Sequence, residues 1–326
     1  MQVSARYIVK RGFNTLIVIF ASMIITFLIP RIAPGDPVDL LQQTYGLSNE
    51  EAEAIRERLG LRGGLLDQFI TYFTHLLRGD LGVSYSYNMR PVIDVIGMAL
   101  PWSLFLLTLS ISIRVVLGVL LGMISAVKQG SKLDTFISSF MSLVLATPYF
   151  LIALFFLYIF SVQLRIFPLS HAYSYEAALK GFSLDYIGDV MYHATLPMIT
   201  IVVSGLPSTY YVMKNNMILL LREDFVSALR AIGLRESKVM RAVARNAILP
   251  VVTSTAISFG YMVVGAVIAE TIFSYPGMGY VFINAILNKD YPLIQGVFLL
   301  LAITISLANF ISDILYAILD PRVRLG

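Results

Sequence analysis

The sequence predicts an all-α integral membrane protein with six transmembrane helices and a large external excursion after the first. Three observations lead there. Hydrophobic residues fill 57% of the 326 positions and charged residues only 13%, about half the charged share of a soluble domain. The apolar residues gather in runs of the length that crosses a hydrocarbon core about 30 Å thick. Lysine and arginine gather in short segments between alternate runs, as they do in cytoplasmic loops.

Residues 1–12 carry Arg6, Lys10 and Arg11, and residues 13–32 form the first span. That run exceeds a signal-peptide core and no small-x-small cleavage site follows it, so it reads as an uncleaved span. Residues 38–99 are polar and, counted from Asp36, hold nine acids against five basic residues, which places them outside. Within them Ser48 and Glu51 have the spacing of a capping box for a helix ending near Leu59, with Gly60 as its stop.

The second span is 101–127 and the third 135–162, joined by a short basic turn holding Lys128 and Lys132. Gly118 and Gly122 form a GxxxG pair that lets another helix approach closely. Pro148 should kink the third span, because proline removes one backbone donor and crowds the preceding turn. A second external loop, 163–194, leads to the fourth span at 193–213; the fifth is 248–272 and the sixth 293–318. Cytoplasmic segments hold 14 of the 24 Lys and Arg, and external segments hold 8 spread over far more chain. Both termini are therefore expected inside.

The most informative stretch is 221–250, too polar for lipid and flanked by two spans. Its charges are six basic against three acidic, the acids being Glu223, Asp224 and Glu236. Phe225, Leu229 and Ile232 recur at helical spacing, Gly233 breaks the run, and Val239, Val243 and Ala247 resume it before Pro250 opens the next span. Two short helices hinged at a glycine follow. Such a segment is either an inert connector or a docking element, and the pattern alone leaves both open.

This segment resembles the EAA loop of ABC importer permeases. Ser227, Ala228 and Leu229 stand where Glu-Ala-Ala is usual, Gly233 is the loop glycine, and Ile248, Leu249 and Pro250 close it. Other strings agree along nearly the whole chain: Arg31-Ile-Ala-Pro-Gly-Asp-Pro37, Arg78-Gly-Asp-Leu-Gly82, Glu270-Thr-Ile-Phe-Ser-Tyr-Pro-Gly-Met-Gly279, Asp290-Tyr-Pro-Leu-Ile-Gln-Gly296 and Asp320-Pro-Arg-Val-Arg324. Together they are similar to the B-type subunit of dipeptide and oligopeptide permeases. The resemblance implies a type I ABC importer permease fold in the cell membrane. It also implies a second homologous permease subunit, two ABC ATPase subunits and an external solute-binding protein as partners. The coupling loop it implies involves Glu223, Asp224, Phe225, Ala228, Leu229, Gly233, Leu234 and Glu236. The solute it implies is a peptide, with oligosaccharide or nickel as alternatives. The corresponding division is 1–37, 38–99 and a core of 100–326.

Several function classes are excluded or left without support. No Gly-Lys pair occurs, so the chain has no P-loop and no ATP site of that kind. There is no cysteine, and His75, His171 and His193 are scattered, so nothing calls for a metal or cofactor. No basic tail points to nucleic acid; the lipid bilayer accounts for the composition. An ion-coupled secondary transporter would ordinarily carry midplane carboxylates, whereas Glu270 and Asp313 fall near span ends. Arg114 is the one charge near the centre of a span. It faces the solute pathway, pairs with Glu270 or Asp313, or lies nearer an interface on a shifted span register; at the centre such a residue costs about 2.5–3.5 kcal/mol to transfer.

Overall fold

The computed structural model describes residues 5–32, 48–58 and 63–319, with positions 38, 39, 42 and 46 between them; side chains at 5, 6, 29, 30, 256–265, 308 and 311–319 are outside the described set. Helix α1 (Ala5–Ile32) is followed by α2 (Asn49–Arg58) and α3 (Leu65–Leu77). Ser48 and Glu51 form the capping box that opens α2: the Ser48 N–H donates to Glu51 Oε2 at 2.8 Å and the Glu51 N–H to Ser48 Oγ at 3.3 Å. Phe69 and Phe73 of α3 lie against Phe27 and Phe20 of α1, and Arg31 Nε donates to Gln68 Oε1 at 2.9 Å. Residues 33–37 of the first-span exit, the stop at Leu59 and Gly60, and the ending at 320–324 lie outside the described residues.

After α3, Arg78 to Gly82 make a tight turn. Gly79 and Gly82 take φ +77° and +80°, values that favour glycine. Asp80 accepts from Gly82 N–H and bonds His75 Nδ1, each at 2.8 Å, and these contacts hold its carboxyl below the usual range. A two-residue antiparallel ladder follows, β1 (Val83–Ser84) with β2 (Arg90–Pro91), the small exception to an all-α fold.

Five further segments build the bundle: α4 (Val92–Val127), α5 (Lys132–Ala146), α6 (Tyr149–Phe156) continued by a π-helical turn (Leu157–Gln163), and, after a short α7 (Tyr175–Leu179), α8 (Leu184–Leu220). Helices α4 and α8 share the most extensive contact in the molecule. The glycine pair explains it. A Cβ at Gly118 would lie 2.7 Å from Thr209, and one at Gly122 would lie 2.8 Å from Met213 Cβ and 2.9 Å from the Tyr210 carbonyl oxygen. Only bare backbone fits there, so the two helices touch along this seam.

The third span is not a kinked rod. Pro148 separates α5 from α6, and the two arms differ in direction by 102°. Tyr7–Leu28, α4 and α8 are each long and apolar enough to cross a membrane among the described residues, with the bent pair as a fourth candidate.

The chain continues through α9 (Asp224–Ala231), α10 (Glu236–Ile272), α11 (Met278–Leu287) and α12 (Tyr291–Leu319). Two expectations are corrected here. The second cytoplasmic helix and the fifth span are one helix of 37 residues, and Pro250 lies inside it rather than opening it. The helices that carry the second and fourth apolar runs begin about nine residues before them, at Val92 and Leu184. Apolar periodicity marks where lipid begins, whereas the helix ends where its capping ends.

Candidate functional site: the coupling loop and the polar anchors of the bundle

Helix α9 begins with Glu223 at its N-cap and Asp224 in its first turn, and has Arg230 in its last. Both signs complement the helix dipole. It stops in a Schellman arrangement: the Gly233 N–H donates to the Arg230 carbonyl at 3.0 Å and the Leu234 N–H to the Leu229 carbonyl at 3.3 Å. Gly233 has φ +77°, and a Cβ there would meet nothing within 4 Å. Its role is therefore conformational, and the space beside it is open. Across the bend, Arg230 grips Glu236 through Nη2 to Oε1 at 2.7 Å and Nε to Oε2 at 3.2 Å. That guanidinium holds the Glu236 carboxyl below its ordinary range.

The loop has two faces. Val226 is fully buried in a cluster with Met213, Met217, Val239 and Val243, against which Leu229 and Leu234 pack half-buried. Glu223, Asp224, Phe225, Ala228, Gly233 and Glu236 are exposed, as is Ile232 at 73%. Of the three stripe residues, Leu229 thus faces the permease's own helix ends while Phe225 and Ile232 face outward. The sequence stripe did not single out Val226, the residue that seats the helix.

Above this loop, Asp134 and Lys214 form an ion pair at the start of α5, with Ser138 bonded to both. Ser125 Oγ donates to Asp134 Oδ1 at 2.5 Å and shares a 2.6 Å bond with the Tyr210 hydroxyl. The basic turn is thereby tied to α8, whose lower end seats α9.

Arg114 lies on the α4–α8 seam and is 8% exposed. Glu270 is not its partner. Among the described residues Arg114 makes no hydrogen bond or ion pair, its Nε is buried without a partner, and the Asp313 side chain lies outside the described set.

Glu270, in the last turn of α10, is instead fully buried against the start of α11. Its Oε1 accepts from Ser103 Oγ and its Oε2 from the Gly279 N–H, each at 2.6 Å, and Ser103 Oγ in turn accepts from the Met278 N–H at 2.8 Å. A carboxylate at a helix N-terminus is matched by the free N–H groups and the dipole. Gly277 and Gly279 make room: a Cβ at the first would sit 2.3 Å from Glu270 Cδ and one at the second 2.3 Å from Val267 Cα. Asp290 repeats the device one helix later, at the start of α12. It accepts from Ser84 Oγ at 2.5 Å, from Ser86 N–H and Oγ at 2.9 and 2.6 Å, and from the Leu293 N–H at 3.2 Å. It joins the hairpin loop to the start of α12.

A membrane bundle with a solvent-exposed helix–glycine–helix loop and no P-loop in its sequence is the form of a transporter's membrane subunit. The chain belongs to the family described as binding-protein-dependent transport system inner membrane component, whose pattern matches residues 118–325, with the family's N-terminal pattern matching residues 4–106. It is the multi-pass permease subunit of an ABC importer and not an enzyme; ATP hydrolysis belongs to separate ATPase subunits. It is 33% identical over 322 residues, 98% of this chain and 99% of the relative, to a protein of Brucella suis biovar 1 provisionally named a peptide permease. The oligopeptide transport system permease protein AppB of Bacillus subtilis is 29% identical over 98% of this chain and 99% of its own length. The di/tripeptide transport system permease protein DppB of Pseudomonas aeruginosa is 34% identical over 94% of each chain.

Proposed function

We propose that this permease carries peptides inward, pairs with a second homologous permease subunit, receives its solute from an external binding protein, and couples to ATPases through residues 223–236. The peptide assignment is supported by the names of the relatives above and by those of the oligopeptide permease protein OppB and the glutathione permease protein GsiC, at 30% identity each. The coupling assignment is supported by one observation above all. Helix α9 is seated by Val226 yet keeps Phe225, Ala228 and Ile232 uncovered. An apolar stripe on a short helix fits a partner's groove. The test is purification of the complex in lipid. Peptide and binding protein together should stimulate ATP hydrolysis, and Phe225→Asp should abolish recovery of the ATPase subunits with the permease. Full recovery of those subunits with Phe225→Asp would place the contact elsewhere.

We also propose six spans with both termini inside. Helices α10 and α12, of 37 and 29 residues, are long enough to supply the fifth and sixth, since a span needs about 20. The absence of cysteine makes the orientation simple to measure. With an impermeant thiol reagent on intact cells, the exposed position Glu50→Cys is expected to label and Ser237→Cys to remain unlabelled. The opposite pattern would invert the topology.

A further inference from the structure

We infer that Arg114 is a specificity residue of the pathway, binding the carboxylate of a passing peptide; the inference rests on the peptide reading above. Arg114 lies 13 residues before the cytoplasmic end of α4 at Val127, about 20 Å at 1.5 Å per residue. That is within the hydrocarbon depth on any register that starts at Lys128. A cation there is retained when it has a partner or a task. Glu270 is committed to Ser103 and Gly279, and no other described residue bonds Arg114.

The fold has also made a place for this side chain. A Cβ at Gly205 of α8 would lie 2.7 Å from Arg114 Cδ and 2.8 Å from Nη1, so the stem rests on bare backbone. Gly118 and Gly122 continue the same seam toward the cytoplasm, against Thr209 and Met213. Among the described residues the Arg114 side chain is thus held by shape rather than by charge, and no described acceptor takes up its hydrogen-bonding capacity, which is left for a group that arrives from elsewhere. A planar fork of donors matches a carboxylate in two parallel bonds. Every peptide with a free C-terminus brings one.

The experiment uses the whole complex in proteoliposomes and a peptide taken up by the wild type both as its C-terminal acid and as its C-terminal amide. For each peptide the readout is uptake by the variant divided by uptake by the wild type, which cancels the preference of the binding protein. Arg114→Gln should lower this ratio about tenfold for the acid, the size of one charged hydrogen-bonded contact, and leave it near one for the amide. Arg114→Lys should recover much of the acid uptake. Equal losses on acid and amide, or no loss on either, would overturn the assignment. So would rescue of Arg114→Gln by Asp313→Asn, which would reveal a pair within the chain. If a search for such a peptide shows that the wild-type complex binds its ATPases but takes up no peptide at all, the peptide reading itself is overturned, and this assignment with it.

Discussion

Replacing Glu270 with alanine is expected to destabilise the folded permease by about 3 kcal/mol and to lower its melting temperature in detergent by several degrees. The side chain is fully buried, and its removal leaves the Ser103 hydroxyl and the Gly279 N–H without their acceptor. Each orphaned buried donor costs about 1–3 kcal/mol. The loss falls on the junction of α10 with α11. Glu270→Gln is the informative control. Its carbonyl oxygen can still accept from Ser103, but its amide group then meets the Gly279 N–H donor to donor, so an intermediate loss is expected. A melting temperature for Glu270→Ala equal to the wild type's would show that this carboxylate does not hold α11 in place.

Gly233→Val is expected to uncouple transport from ATP hydrolysis while leaving the bundle folded. The residue stands at φ +77° with open space around it. A left-handed conformation costs an L-residue roughly 1–2 kcal/mol, and relief of that strain would turn α9 away from the cluster around Val226. A bias of that size changes a population about five- to thirtyfold. Transport-linked hydrolysis at matched permease levels should fall by a comparable factor. Gly233→Ala should show the same defect in smaller measure, and Gly233→Asn should be the mildest, because asparagine visits this conformation more readily. Since a side chain at 233 collides with nothing in the permease, a graded series would report backbone conformation. Wild-type coupling in all three variants would make Gly233 a plain connector.

Signals in the sequence are legible where the physics is local. The capping box needs only Ser48 and Glu51, the hinge only a glycine after a helical run, and the close helix approach only two glycines four apart. Pro148 announced a disturbance, but the 102° turn depends on how both arms pack. Signals that depend on distant partners were not legible. Glu270 looked like an ordinary acid near a span end, because its partners Ser103 and Gly279 lie 167 positions away and beyond the next turn. The fit of the Arg114 stem against Gly205 was hidden in the same way, because Gly205 carries no charge to notice. The continuity of α10 through Pro250 was hidden for another reason. Proline at a helix start and proline inside a long helix look alike until the preceding turn is seen.

The cage around Glu270 has an evolutionary consequence. Gly277 excludes a methyl group because the carboxyl occupies that volume, with Cδ only 2.3 Å from where a Cβ would stand. Glycine and glutamate are therefore constrained by each other: either substitution alone meets a clash or a void, while a joint replacement removes the carboxyl and fills part of its space. Sites coupled in this way are non-additive. A lineage can leave the Glu-Thr-Ile-Phe-Ser-Tyr-Pro-Gly-Met-Gly arrangement only by crossing a valley of less stable single variants, and a descendant that has crossed it faces the same valley on return.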